Sequence, residues 1–317
     1  MIILVLLSIP ALSLLFLQNR QVQTAVSKHL TGRLSEQLQT TITLSSVSYS
    51  FFNRIQVTDL YIEDQQGDTL LYSSITKFRI RRLRPEKNLL EIRRATMEGA
   101  YINFMIDDRG VINLKFITDR IKKPHVPPEK KNRLRISSIE LTHSRFVLSK
   151  AGRSGTDRRV NLTDLDMKDL QISVKDLDSY RDTVRMQITR LSGKDRSGFT
   201  IDRLASRLRL GKTHMRFEDL SIDTEGSQMN VPLLSFGFDS YSGFSQFARE
   251  VKFYFTSSHS ILSMDDLTRF VAAPGGVVDR ITIDGTLSGR LSDLRGEELY
   301  VTFDDRSSLA FDFIMIG

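Results

Sequence analysis

The 317-residue chain has no cysteine, and that absence removes disulfide frameworks, thiolate zinc sites, iron–sulfur clusters and cysteine nucleophiles together. Glycine and proline are sparse as well, at 18 and 7 residues, which excludes collagen-like and low-complexity chains. Also missing are the short motifs that carry chemistry: no HExxH, nucleophile elbow, phosphate-binding loop, dinucleotide fingerprint or EF-hand loop is present. Neither sign of charge dominates. The 45 Lys and Arg against 38 Asp and Glu leave a net +7, with acids interspersed nearly throughout, so a solvated surface is expected rather than a nucleic-acid footprint. What the chain does have is 40% hydrophobic and 26% charged residues, enough apolar surface to fold. No cofactor, no metal and no enzymatic activity are expected.

One long apolar run stands at the N-terminus. Residues 1–17, MIILVLLSIPALSLLFL, carry no charged side chain, and Ile2, Ile3, Leu4, Val5, Leu6, Leu7, Leu12, Leu14, Leu15, Phe16 and Leu17 form its membrane-seeking body. As a helix it rises about 26 Å, slightly short of a hydrocarbon core of about 30 Å. A cleavable signal needs a basic start and a small-x-small site; neither is present, so a transmembrane anchor is the favoured reading. Residues 18–39 then place Val22, Val26, Leu30, Leu34 and Leu38 four apart, the spacing of an amphipathic helix. Taken alone, Arg20, Lys28 and Arg33 favour a cytoplasmic location for that helix.

From residue 40 onward the period changes from helical to two. More than a dozen short alternating segments follow, separated by Gly, Asp, Asn and Ser, a mainly β pattern. Asp64 to Asp68 reads as a Gly-containing hairpin, and GVINLKFI after Asp108-Arg109-Gly110 as one more strand of a meander. Several segments share a step: Ile55 and Val57 then Leu60 and Ile62; Ile136 then Ile139 and Leu141; Phe217 then Leu220 and Ile222. Because a one-residue slip flips the apolar set to the other face, these polar steps are expected to be bulges or corners where the sheet curls. The expectation is therefore a long curved antiparallel sheet with one apolar face. Lys122 to Arg133, KKPHVPPEKKNR, reads as a linker, giving β segments over 40–121 and 134–317. Ser263 to Ala272 reads as a short helix with Ser263 as its N-cap.

Polar residues that might carry chemistry are few. His29, His125, His143, His214 and His259 are scattered without ligand-like spacing. Asp107-Asp108 and Asp265-Asp266 fit a turn and a helix start, while Asp164, Asp166 and Asp169 alternate with leucines as the wet side of a strand. The densest basic stretch is Lys77, Arg79, Arg81, Arg82 and Arg84, interleaved with Phe78, Ile80 and Leu83. That pattern suits a solvated strand face or, in an anchored protein, anionic lipid headgroups.

The order of apolar anchor, helix, ITLSSVSYSFFNRI and the hairpin VTDLYIEDQQGDTLLY at Val57 to Tyr72 resembles the N-terminal region of the TamB family of translocation and assembly module subunits, within the AsmA-like superfamily, in its Bacteroidetes-type form. The resemblance covers residues 1 to about 115. Beyond them it continues only in texture, including IDGTLSGRLSDLRGEELYVTF at Ile283 to Phe303. Family members are much longer, which implies that Gly317 is either a truncation point or the end of a separately encoded portion. The resemblance implies an inner-membrane anchor, a body in the periplasm, and an apolar β-groove that carries phospholipid toward the outer membrane. It also implies support of outer-membrane protein assembly with a TamA-type barrel partner. Alternation selects Ile102, Phe104, Ile106, Phe253, Phe255, Phe311 and Phe313 as groove-lining candidates, with ordinary β-core packing as the competing explanation for each. An assembly scaffold that pairs its strand edges with client segments is the alternative function.

Overall fold

The computed structural model describes residues 29, 31–50, 53–84, 89–108, 110–117, 133–150, 159–161, 164–270, 279–304 and 306–317. Period-2 alternation over most of this length produces strands, and fifteen of them join one open sheet. They are β1 (Ile42–Thr43), β2 (Ser46–Ser50), β3 (Arg54–Glu63), β4 (Thr69–Arg84), β5 (Leu89–Ile106), β6 (Arg133–Lys150), β7 (Leu165–Tyr180) and β8 (Thr183–Asp195). The remainder are β9 (Thr200–Leu210), β10 (His214–Asp223), β11 (Gln228–Gly237), β12 (Lys252–Ser263), β13 (Arg280–Arg290), β14 (Asp293–Phe303) and β15 (Ser308–Ile316). Sequence order is spatial order from β3 to β15, while β1 and β2 both pair with β3 as one interrupted edge strand. At strand spacings of about 4.8 Å the sheet is roughly 60 Å long.

The connections explain this order. Asp64 accepts the backbone N–H groups of Gln66 and Asp68 at 2.9 and 3.0 Å, and Gly67 takes a φ of 86°, so the β3–β4 hairpin closes as its sequence predicts. The sheet is not antiparallel throughout, however: β5 and β6 run parallel over fourteen paired positions, from Leu89 opposite Arg133 to Ile106 opposite Lys150. A parallel pair needs a crossover, and residues 107–132, which include the Pro-rich stretch, make that return. The two β segments expected on either side of 122–133 therefore belong to one continuous sheet. GVINLKFI is not a strand. Ile112 makes one bridge to Ile106, residues 115–117 turn helically, and Asn113 donates to Asp64 at 2.9 Å and to the Asn103 carbonyl at 3.2 Å.

Residues 31–38 are helical, with Leu34 41% exposed, and Ser35 accepts the Ile42 N–H at 3.0 Å where the helix meets the sheet. Among the described residues no helix is long and apolar enough to cross a membrane, and the anchor candidates within residues 1–17 lie outside them. The expected helix after β12 is present as Met264–Thr268, and the Ser263 hydroxyl accepts the Asp265 N–H at 3.2 Å as its N-cap.

Two bidentate ion pairs clamp β6 to β7. Arg133 grips Asp178 at 3.0 and 2.6 Å, and Arg145 grips Asp166 at 2.7 and 2.8 Å. Hydrogen bonds from these arginines, set against partial burial, hold both carboxyls below the ordinary aspartate pKa of 3.8. A depressed folded-state pKa means that the stabilisation is present above the unfolded value and lost as pH falls through the folded one. Urea titrations between about pH 6 and pH 2 are expected to show a shallower acid-side loss of stability for Asp166→Asn/Asp178→Asn than for the wild type. An identical acid slope would rule these pairs out as contributors.

Candidate functional site

Cross-strand register assigns each side chain to a face. Ile102 lies opposite Phe146 and Phe104 opposite Leu148, and these continue to Met167 and Leu165 on β7. Ile172 leads through Leu191, Leu204 and Ile222 to Met229. Phe253 and Phe255 lie opposite Phe236 and Leu234, Leu287 opposite Phe255, Gly296 opposite Leu287 and Phe313 opposite Gly296. Phe311 lies opposite Leu299. All seven candidates Ile102, Phe104, Ile106, Phe253, Phe255, Phe311 and Phe313 thus share one face, and it is apolar from β5 to β15. The reverse face carries Arg135, Lys175, Arg185, Gln187, Arg207, Arg209, Arg216, Tyr254, Ser288 and Arg295.

A face of this kind ordinarily disappears under a second layer. Among the described residues every substantial strand contact is with a neighbour in the same sheet. Of the 19 phenylalanines, only Phe199 and Phe238 are buried among the described residues. Phe104 meets Phe146 edge-on at 5.6 Å, and Phe311 stacks with Phe313 at 6.2 Å, yet Phe311 remains 44% exposed. Fully burying a phenylalanine is worth about 1.5–3 kcal/mol, so much of this surface is left for something else to cover.

Two of the polar steps seen in the sequence, at Asp59 and Asp219, fall on one line across the sheet, while the Ile136–Ile139 step lies off it, in register with Asp176 of β7 at φ 51°. Asp59, His143, Asp169, Asp219, His259 and Glu298 take φ between 48° and 53° and Gly99 takes 59°, and the ladders skip a register beside most of them. Each is an extra residue that bends its strand and restores the apolar phase. Next to this line runs a row of buried positions: Ser73, Ala100, Ser144, Leu170, Leu220, Val231, Ser260 and Leu299, all under 8% exposed. Serines recur because bulges leave backbone groups unpaired. Ser144 accepts the Ala100 N–H at 3.3 Å, Ser206 donates to the Glu218 carbonyl at 2.9 Å, and Ser260 accepts the Asn230 N–H at 2.9 Å. From the polar side, Asp284 and Asp312 accept the N–H groups of His259 and Glu298 at 2.5 and 2.7 Å.

Two helical pieces rest on the apolar face at opposite strand ends. Residues Tyr241–Gln246 and Phe247–Glu250 carry an aromatic cluster in which Phe244 and Phe247 meet Phe236 at 6.1 and 5.8 Å. At the other end the Met264–Thr268 helix is strapped down by Asp266, which accepts the hydroxyls of Thr224 and Ser227 at 2.6 and 2.5 Å. Arg269 donates to the Ser197 carbonyl at 3.1 Å, and Phe270 meets Phe199 edge-on at 5.0 Å. Beneath it lies a cavity of about 280 Å³ lined by Met167, Ile201, Leu204, Ile222, Met229 and Phe270, among others.

Sequence reasoning found the seven face residues but not Phe146, Phe236 or the 241–250 cluster; Phe244 and Phe247, three apart after a strand end, were the available signal. Asp164 and Asp166 pair with Arg196 and Arg145, Asp169 occupies a bulge, and no group of metal-ligating residues occurs among those described. His143 and His259 are bulge residues, and His125 lies outside the described residues. No family model and no curated protein matches the chain.

The bulge line yields a test. A non-glycine residue in the left-handed region costs about 1–2 kcal/mol, more when β-branched. His143→Gly and Asp169→Gly are expected to retain or raise stability in urea titrations, and His143→Val and Asp169→Val to lose about 1–2 kcal/mol. Equal behaviour of the two series would contradict the assigned backbone.

Proposed function

We propose that this chain is a TamB-like, AsmA-like groove protein of the bacterial envelope, anchored in the inner membrane by residues 1–17, that moves phospholipid toward the outer membrane and supports outer-membrane protein assembly. The observation that carries this reading is an apolar face continuous from β5 to β15 with, among the described residues, no second layer of strands over it. A line of bulges bends the strands about that face, which favours a trough whose axis runs across the strands. Acyl chains lie along such a trough while their phosphates stay wet at its lip, each buried methylene contributing about 0.8 kcal/mol. No catalytic residue is needed; shielding from water is the whole mechanism, and lipid recognition is unspecific. The body stands in the periplasm, phospholipid and the inner membrane are its partners, and a TamA-type barrel is a further one.

A second reading is favoured by β15, whose Leu309, Phe311, Ile314, Met315 and Ile316 are 44–83% exposed on a free sheet edge. Such an edge pairs readily with another strand, which is the scaffold function.

The two readings separate on one variant. Native mass spectrometry of the full chain released from mild detergent is expected to find bound phospholipid in the wild type and at least a tenfold drop in Phe104→Asp/Phe255→Asp. Unchanged lipid occupancy in a folded variant, or a folded wild type without lipid, would sink the groove and leave the edge-pairing scaffold.

A further inference from the structure

The polar face is not uniformly charged. Register places Arg54 of β3 directly opposite Arg79 of β4, and Arg79 directly opposite Arg94 of β5. It does the same with Arg185 of β8, Arg209 of β9 and Arg216 of β10. Two three-arginine ladders result, carried on adjacent strands whose backbones are about 4.8 Å apart. Like charges directly opposite one another destabilise a sheet, so the fold gains nothing from this arrangement. Acidic relief is incomplete. Arg216 pairs with Glu218 at 2.7 Å and Arg94 reaches Glu140 at 4.0 Å, but the central Arg79 and Arg209 have no ion pair among the described residues. Elsewhere arginines are matched, Arg145 by Asp166 and Arg196 by Asp164, and beside the second ladder Asp178 lies opposite Arg185 while pairing with Arg133.

We propose that the two arginine ladders form a docking surface for the phosphates of an anionic phospholipid bilayer. The idea rests on the envelope reading above for its choice of phosphate source, and it assigns the polar face a task that the apolar face does not perform. An array of guanidinium groups along one side of a sheet suits a plane of phosphates, each arginine offering a fork of donors. Single-stranded nucleic acid is the poorer occupant because its binding surfaces interleave aromatic platforms. None stands within either ladder or among Gln56, Lys77, Thr96, Gln187 and Arg207, and Tyr180, diagonal to Arg185, is already stacked against Arg133 and Arg181.

The test uses the full chain, its N-terminal segment held in phosphatidylcholine nanodiscs, mixed with phosphatidylglycerol or phosphatidylcholine vesicles. Capture of phosphatidylglycerol vesicles alone is expected, released at high salt. Arg79→Glu/Arg209→Glu, which converts each ladder to alternating charge, is expected to lower capture at least tenfold while the melting temperature holds or rises by about 2–4 °C. Loss of capture with opposite movement of stability is what a merely structural role does not produce. Equal capture of both vesicles, capture retained in the variant, or a lowered melting temperature would overturn the proposal. So would complete competition by inorganic phosphate, which would assign the ladders to a small anion, or tighter binding of a single-stranded oligonucleotide. Failure of the groove is seen separately: Phe104→Asp/Phe255→Asp loses bound lipid but keeps vesicle capture if the ladders act alone.

Discussion

A sheet has two faces, and an apolar face must be covered. That constraint governs this molecule, because its fifteen strands form one sheet and, among the described residues, no second sheet lies against it. The remedies available within the chain are local: the 241–250 cluster over Phe236 at one end of the strands, the Met264–Thr268 helix over Met229 and Leu262 at the other, and the bulges that turn strands inward. They bury a row of small and branched side chains near the bulge line but leave phenylalanines such as Phe104, Phe253, Phe255 and Phe313 only partly covered. A lipid chain is a covering of suitable chemistry, since it demands no polar partner and no fixed register.

The bulges also explain why the strands remain amphipathic over such lengths. A strand twists as it extends, and a long pleat without interruption drifts from its neighbours. In β6, Ile139 and Leu141 share a face with Ser144 and Phe146 only because His143 adds one residue between them. The same device operates in β10 at Asp219 and in β12 at His259, so one apolar face persists from strand to strand. Buried serines complete the device by binding backbone groups that the skipped registers leave unpaired.

Much of this was legible in the sequence, for reasons that are local. Alternation reports a strand, and a three-residue step such as Val57 to Leu60 reports a bulge, since both depend on neighbours along the chain. Ser263 announced its helix because capping is a two-residue interaction. Other features depend on partners distant in sequence. The parallel pairing of β5 with β6 follows from where residues 107–132 return the chain, and nothing in the Pro-rich composition states that direction. GVINLKFI alternates like a strand, yet Asn113 diverts it by binding Asp64 and the Asn103 carbonyl. The arginine ladders were half visible: Arg79 stood out within a basic run, but its alignment with Arg54 and Arg94 exists only once register is fixed.

The central claim is that phospholipid acyl chains are buried against the apolar face. Its most direct measurement is photocrosslinking in the full chain, expressed in a bacterial envelope, with a benzophenone amino acid placed at Phe104 or Phe255 on the apolar face and at Tyr254 or Tyr300 on the polar one. Mass spectrometry is expected to find abundant phospholipid adducts at the first two positions and far fewer at the second two, which lie outside the arginine ladders. No adduct at Phe104 and Phe255, or equal adducts on both faces, would contradict the account.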